Sequence, residues 1–257
     1  MNPSRIALQL YTLREHCRTA AELATTARKV RAIGYAAVEI SGVGPIPEAE
    51  IVAIMKGEGL VICATHEDSV TILDHPEIAI ERVHNLGAKF SAYPYPAGIA
   101  FDNPAQVSNL IRKLDRAGAK FRAAGLKLGY HNHAHEFYRP AGGATILEQI
   151  YAETSPENLM AELDTYWVHR GGGNVVDWVA RLKGRLPTLH LKDYKVNPQG
   201  EPTFCEIGAG TLPFPHIIAE AEASGCEWFI VEQDSTPGDP FVSIKQSFDY
   251  LQATLVV

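Results

Sequence analysis

Short apolar, β-prone runs alternate along the chain with longer amphipathic stretches, and the alternation is regular. IALQL (6–10) precedes a helical stretch at 19–33, AAVEI (36–40) one at 47–57, and LVICAT (60–65) one at 76–86. KFSAY (89–93) pairs with 103–124, LKLGYH (126–131) with 144–153, and LMAEL (159–163) with 174–183. LPTLHL (186–191) with 213–224 and WFIVE (228–232) with 239–252 complete the series. Most of these helices stop at a glycine, the residue that adopts the left-handed cap and turns the chain back. Strands joined by helices run parallel, with right-handed crossovers. Eight such units predict a single (β/α)8 barrel spanning residues 1–257 as one domain. An open doubly wound sheet is the alternative, but no GxGxxG or GxxxxGK[ST] fingerprint accompanies the strands.

Composition sharpens this reading at three points. Apolar residues make up 46% and charged residues 21% of 257 positions, enough for a large core without staples. The four cysteines (Cys17, Cys63, Cys205, Cys226) lack CxxC spacing, so they read as buried thiols in a cytoplasmic protein. No apolar stretch approaches the ~20 residues of a membrane span. The net charge of −7, with no Lys/Arg stripe, argues against nucleic acid as a partner.

Candidate chemistry gathers at the strand ends. In a barrel of this type the C-terminal ends of the strands and the loops after them form the active site. Here they carry Gln9 and Tyr11, Glu39, His66 with Glu67, and Tyr93 with Tyr95. The cluster His131, Asn132, His133, His135, Glu136 follows, then Asp164, then His190 with Lys192 and Asp193, and Glu232. Asp164, His190 and Glu232 each end or follow an apolar run and point into one mouth. A carboxylate, an imidazole and a second carboxylate suit one divalent ion, Mn, Co, Mg or Zn. The fourth ligand is expected from the fifth strand and its loop. Glu136 is favoured, with His131 and His133 beside the substrate; either histidine is the alternative ligand.

In combination, HNHAHEF (131–137), ELDTYWVHRGG (162–172), LHLKDY (189–194), EIGAGTLPF (206–214) and IVEQD (230–234) resemble the xylose isomerase-like TIM-barrel family. LQLYTLRE (8–15) fits as well. The family includes ketose 3-epimerases, hydroxypyruvate isomerases, inosose dehydratases and endonuclease IV. The resemblance implies one divalent metal held by Glu136, Asp164, His190 and Glu232. In the ketose epimerases the first glutamate lies on the fifth strand itself, where this chain has Tyr130 and His131. The histidine-rich version is closer to inosose dehydratases and to enzymes acting on keto-glycosides.

The expected activity is a metal-dependent isomerase or epimerase acting on a ketose or keto-sugar through an enediolate. The alternative is a lyase or dehydratase acting on an inosose or 3-keto-glycoside at the same site. Glu232 is the candidate base on one face, with His131 or His133 opposite and Lys192 neutralising the oxyanion. His66, Tyr11, Trp167 and Glu39 would shape the pocket around a small sugar or polyol. An endonuclease would need three metals and a basic groove; a silent sugar-binding barrel would not need the ligand set. The EIGAG loop contains Glu206 and offers no clear phosphate cradle, so an unphosphorylated substrate is expected. The loop YPYPAG (93–98) reads as a lid or as a contact within a homo-oligomer.

Overall fold

The computed structural model describes residues 1–255 of the chain. Eight parallel strands close into a barrel: β1 (Ile6–Gln9), β2 (Ala37–Ile40), β3 (Val61–His66), β4 (Phe90–Tyr93), β5 (Lys127–His131), β6 (Leu159–Asp164), β7 (Thr188–Leu191) and β10 (Trp228–Val231). Each strand pairs with its neighbours in sequence, and β1 closes against β10. The eight expected strands and eight expected helices all form, with ends within a few residues of those read from the pattern. The EIGAG segment follows an antiparallel hairpin, β8 (Asp193–Val196) with β9 (Pro202–Cys205), that the pattern did not announce. Two short helices, Ser69–Asp74 and Thr165–Arg170, were likewise unforeseen.

Side chains alternate between the two faces of every strand, and that period of two builds two cores. The outward-facing residues Ile6, Leu8, Val38, Leu128, Leu163, Leu189 and Phe229 pack under the helices in one continuous apolar cluster. Inward-facing residues form a smaller plug of Ala7, Ala37, Ala64, Phe90, Ala92 and Ile230. Gly129 is required there, because a Cβ at that position would collide with the Phe90 ring. One further step along each strand, the inward positions become Gln9, Glu39, His66, His131, Glu162 with Asp164, and His190, with Glu232 just past β10. The interior therefore changes from apolar plug to polar layer within one residue pair, towards the mouth. Ladder pairing fixes the layer: Gln9 stands opposite Glu39, His131 opposite Glu162, and Asp164 opposite His190. A register shift between Val38 and Glu39 adjusts where Glu39 points.

Among the described residues, no helix is long and apolar enough to cross a membrane.

Candidate metal centre and active site

The polar layer is dry and dense in charge. Glu39, Glu162, Asp164 and His190 have no solvent-exposed surface, Lys192 is 1% exposed and Glu232 5%. His190 is held on both sides of its ring. Its Nδ1 is 2.9 Å from Glu232 Oε2, and its Nε2 is 2.8 Å from Glu39 Oε2 and 3.3 Å from Glu162 Oε2. His131 places Nδ1 3.4 Å from Glu162 Oε2 and Nε2 4.0 Å from Asp164 Oδ2. His66 bonds Glu162 through Nε2, while Gln9 Nε2 lies 3.3 Å from its Nδ1 and 2.9 Å from Glu39 Oε2. The Lys192 ammonium is clamped by three carboxylates: Asp164 at 3.0 Å, Glu232 at 2.8 Å and Asp234 at 3.2 Å.

Four buried carboxylates (Glu39, Glu162, Asp164, Glu232) thus share this layer with one fixed ammonium, which contacts two of them, and buried charge in such excess is costly unless matched. Burial opposes ionisation of Glu232 and Glu162, yet Lys192 and His190 hold Glu232, and His190 and His66 hold Glu162, well below the usual carboxylate range. Burial, reinforced by the Glu162 charge, pushes Glu39 up to about 7. Against the pull of burial, Glu162 and Glu39 hold His190 well above its ordinary value. The cluster is poised for positive charge.

His131, Asp164, His190 and Glu232 bring one ligand atom each within 4.8 Å of one another. Two buried atoms of this group, Asp164 Oδ2 and His131 Nδ1, lack a hydrogen bond of good geometry. Two imidazoles and two carboxylates suit Mn²⁺, Co²⁺ or Zn²⁺, and Mg²⁺ less closely. The remaining carboxylates fit the same purpose: Glu39 holds the far nitrogen of His190, and Glu162 approaches that of His131, as carboxylates do behind metal-bound imidazoles. With a divalent cation bound, both histidines would act as neutral ligands. These residues fit one divalent metal.

Two residues lie apart from the places expected for them. Glu136 is not with Asp164, His190 and Glu232; His131 takes that place. Glu136 lies in the loop after β5, where Tyr130 Oη donates to it at 2.9 Å and the His133 N–H at 2.8 Å. Burial pushes Glu136 up to about 7, and through Tyr130 and the His133 N–H it ties the HNHAHEF loop to β5. Glu39 does not contact the cavity; it lies beneath, bonded to Gln9 and His190. Asp164 serves twice, since its Oδ1 also caps Thr165–Arg170 by accepting from the Trp167 N–H at 2.9 Å.

Above the layer opens a cavity of about 610 Å³ lined by Tyr11, Arg14, His66, Glu67, Tyr95, His131, His133, Lys192, Glu232 and Asp234, among others. That volume is in the range of small-molecule sites. His66, Tyr11, His133 and Lys192 all line this cavity. Trp167 backs His133, ring centroids 5.2 Å apart, and lies 5.6 Å from Lys192 Nζ. Burial, helped by His131 and Lys192, lowers His133 to about 2, so its imidazole is neutral and its Nδ1 is unpartnered. Burial also raises Asp234, to about 6, against the opposing charge of Lys192. Sequence reading missed Asp234 and Glu162. The signal for Glu162 was available: it precedes Asp164 by two on one strand, hence on one face.

The Gly-rich loop after the hairpin is filled from within. The buried Asp193 carboxylate accepts from the N–H groups of Tyr194 (2.7 Å), Gly208 (2.9 Å), Gly210 (3.0 Å) and Leu212 (3.3 Å).

A family model described as xylose isomerase-like TIM barrel matches residues 27–254. An inosose dehydratase of Lacticaseibacillus casei is 24% identical over 163 residues, which cover 57% of this chain and 54% of that protein. The chain thus spans about half the length of the curated relatives it matches. A crystal structure of a sugar phosphate isomerase/epimerase from Parabacteroides distasonis superposes with a TM-score of 0.82 at 23% identity, covering 97% of this chain and 94% of that one. A xylose isomerase-like TIM barrel protein from Mycobacterium smegmatis, in complex with magnesium, superposes with a TM-score of 0.74 at 15% identity over 98% and 97% of the two chains. These likenesses concern the fold.

Proposed function

The chain belongs to the xylose isomerase-like TIM-barrel family, and from that premise we propose a divalent-metal-dependent enzyme that enolises a keto-sugar or inosose and then expels a β-substituent. The ligands are His131, Asp164, His190 and Glu232. A metal there supplies a Lewis acid that polarises a carbonyl and an adjacent hydroxyl. Asp234 stands on the cavity wall as the proton acceptor, a carboxylate tuned close to neutral pH, and the neutral imidazole of His133 beside it accepts a hydrogen bond from a substrate hydroxyl. Lys192 places a permanent positive charge where oxyanion charge develops. His66 and Tyr11 line the mouth and orient the ring.

Isomerase and dehydratase readings share the enolisation step and part at the next. One observation carries the choice: the ammonium of Lys192 is bound by three carboxylates. Although burial opposes its charge, Asp164, Glu232 and Asp234 hold it above its ordinary range. Reversible epimerisation asks the groups on the two faces to exchange the roles of acid and base. A lysine so firmly protonated cannot become the base, and β5 ends in His131 rather than a glutamate. Elimination asks for an acceptor of the α-proton, a lasting positive charge beside the enolate and a proton for the departing oxygen, and Asp234 can hand the proton it takes on to that oxygen. This supports the lyase over the epimerase.

The test is product analysis with Mn²⁺ and a panel of ketoses, inososes and keto-glycosides in deuterated water. Elimination predicts a new conjugated-carbonyl absorbance and a product lighter by water or an alcohol. A product of unchanged skeletal mass with an inverted or moved carbonyl would return the assignment to isomerase or epimerase. If no α-hydrogen exchanges with solvent for any substrate, the enolisation reading fails.

A further inference from the structure

Beside the mouth lies a second cavity of about 430 Å³, walled by Tyr95, Pro96, Ile99, Phe101, Asp102, His135 and Tyr138. Tyr95 belongs to both cavities. The walls come from the YPYPAG loop after β4 and the HNHAHEF loop after β5. Their rings form a continuous track out of the active site. Trp167 and His133 are 5.2 Å apart, His133 stacks on His135 at 5.5 Å with an interplanar angle of 8°, and Phe101 follows His135 at 5.4 Å. Tyr95 meets both imidazoles edge-on, at 5.1 and 5.4 Å. Yet Tyr95 and Tyr138 are 49% and 48% exposed. Large aromatic surface left open beside a catalytic mouth marks a contact site.

We propose that this annex is the subsite for an aromatic aglycone, so that the substrate is an aryl glycoside whose oxidised sugar ring occupies the mouth. The proposal rests on the preceding reading that the mouth takes a keto-sugar ring. Three features select a flat apolar ring over a second sugar. The walls offer mainly ring faces and edges, with the Asp102 carboxylate, the His135 imidazole and the hydroxyls of Tyr95 and Tyr138 as their polar side-chain groups, whereas a sugar ring carries hydroxyls all round that need partners. Aromatic pairs favour the offset and edge-to-face geometries these rings already adopt. The two cavities adjoin at Tyr95, whose exposed ring is where a bond between sugar and aglycone would cross.

The experiment is binding to the manganese-loaded protein by calorimetry, with 4-nitrophenyl β-glucoside, methyl β-glucoside and cellobiose as probes. The aryl glucoside should bind at least about 10-fold more tightly than the other two. Tyr138→Ala and Phe101→Ala should each erase that preference while leaving methyl glucoside affinity and metal content unchanged. Tyr138 is largely exposed, so its variant stays folded even if Phe101→Ala does not. Equal or undetectable binding of all three probes, or a preference that survives in Tyr138→Ala, overturns the subsite. So does tighter binding of cellobiose, which would make it a second sugar site. Self-association lost in Tyr138→Ala, without any aryl preference, would give the face to a second copy of the chain. Solvent deuterium exchange into a monosaccharide substrate reads the reaction independently. Aryl preference without exchange keeps the subsite and sinks the reaction; exchange without preference does the reverse.

Discussion

Glu136 and Glu232 are both glutamates buried beside the barrel mouth, and their partners push their ionisation in opposite directions. Glu232 faces Lys192 and His190 and stays ionised; Glu136 faces a phenol and one backbone N–H, and burial raises it from 4.5 to about 7. Metal content separates their roles. Purified wild type incubated with Mn²⁺ should hold about one ion per chain. His190→Ala and Glu232→Ala should lose it and Glu136→Ala should keep it, as read by mass spectrometry of the metal; loss in Glu136→Ala would return that residue to the ligand set. A second expectation concerns stability. The folded-state carboxyl of Glu136 is raised, so its contribution is complete below pH 4.5 and is lost as pH rises through about 7. The full swing is on the order of 3 kcal/mol at most. Thermal unfolding from pH 5 to 9 should therefore show wild type losing stability relative to Glu136→Gln as pH increases. Parallel curves would mean that water or a cation reaches the group.

At the scale of elements, the hairpin and its glycine loop hang on Asp193. Four backbone N–H groups converge on that carboxylate, and a Cβ at Gly210 would collide with it. Asp193→Ala should cost about 2–4 kcal/mol, because the N–H groups it leaves behind are partly buried. Proteolytic nicking should appear between residues 193 and 212, with Asp193→Asn intermediate; a variant as stable and protease-resistant as wild type would show that the hairpin holds the loop unaided. The barrel itself was legible because strand and helix periods differ and alternate eight times. The hairpin was not: its strands are half exposed and polar, with none of the apolar run that marks a barrel strand. Thr165–Arg170 was hidden because its cap, Asp164, reads equally as a strand end and a ligand. The site was legible as a set of strand ends, while the division of labour within it was not. Which glutamate reaches the cluster at the mouth depends on the inward face and on ladder register. Glu162 lies one inward step deeper than Asp164, and Glu136 lies off the strand.

Across the whole molecule, the net charge of −7 is matched by an acidic mouth. Glu67, Glu232 and Asp234 line it against Arg14 and Lys192, and both cations already have partners within the protein. Lys192 is spent on three carboxylates, and Arg14 donates to the Tyr11 and Asp234 carbonyls at 2.8 and 3.1 Å while stacking on the Tyr11 ring. Barrels of this class that bind phosphate commonly do so with the loops after the seventh and eighth barrel strands. Here Asp193 already occupies the corresponding N–H groups. A phosphate would meet the charges of Glu67, Glu232 and Asp234 with cations that already have partners, so it should be disfavoured relative to the unesterified sugar. For a keto-sugar that the enzyme turns over, its phosphate ester should have a kcat/KM lower by about 100-fold or more. Raising salt should narrow the gap, since screening weakens repulsion at an open mouth. The source of the discrimination is separable: Asp193→Asn keeps a side chain of the same size but removes its charge, and should recover part of the loss for the phosphate ester alone. Equal turnover of both substrates by wild type would require Arg14 to leave Tyr11 on binding. Arg14→Ala would then depress only the phosphorylated substrate, and the acidic mouth would be a surface feature rather than a filter.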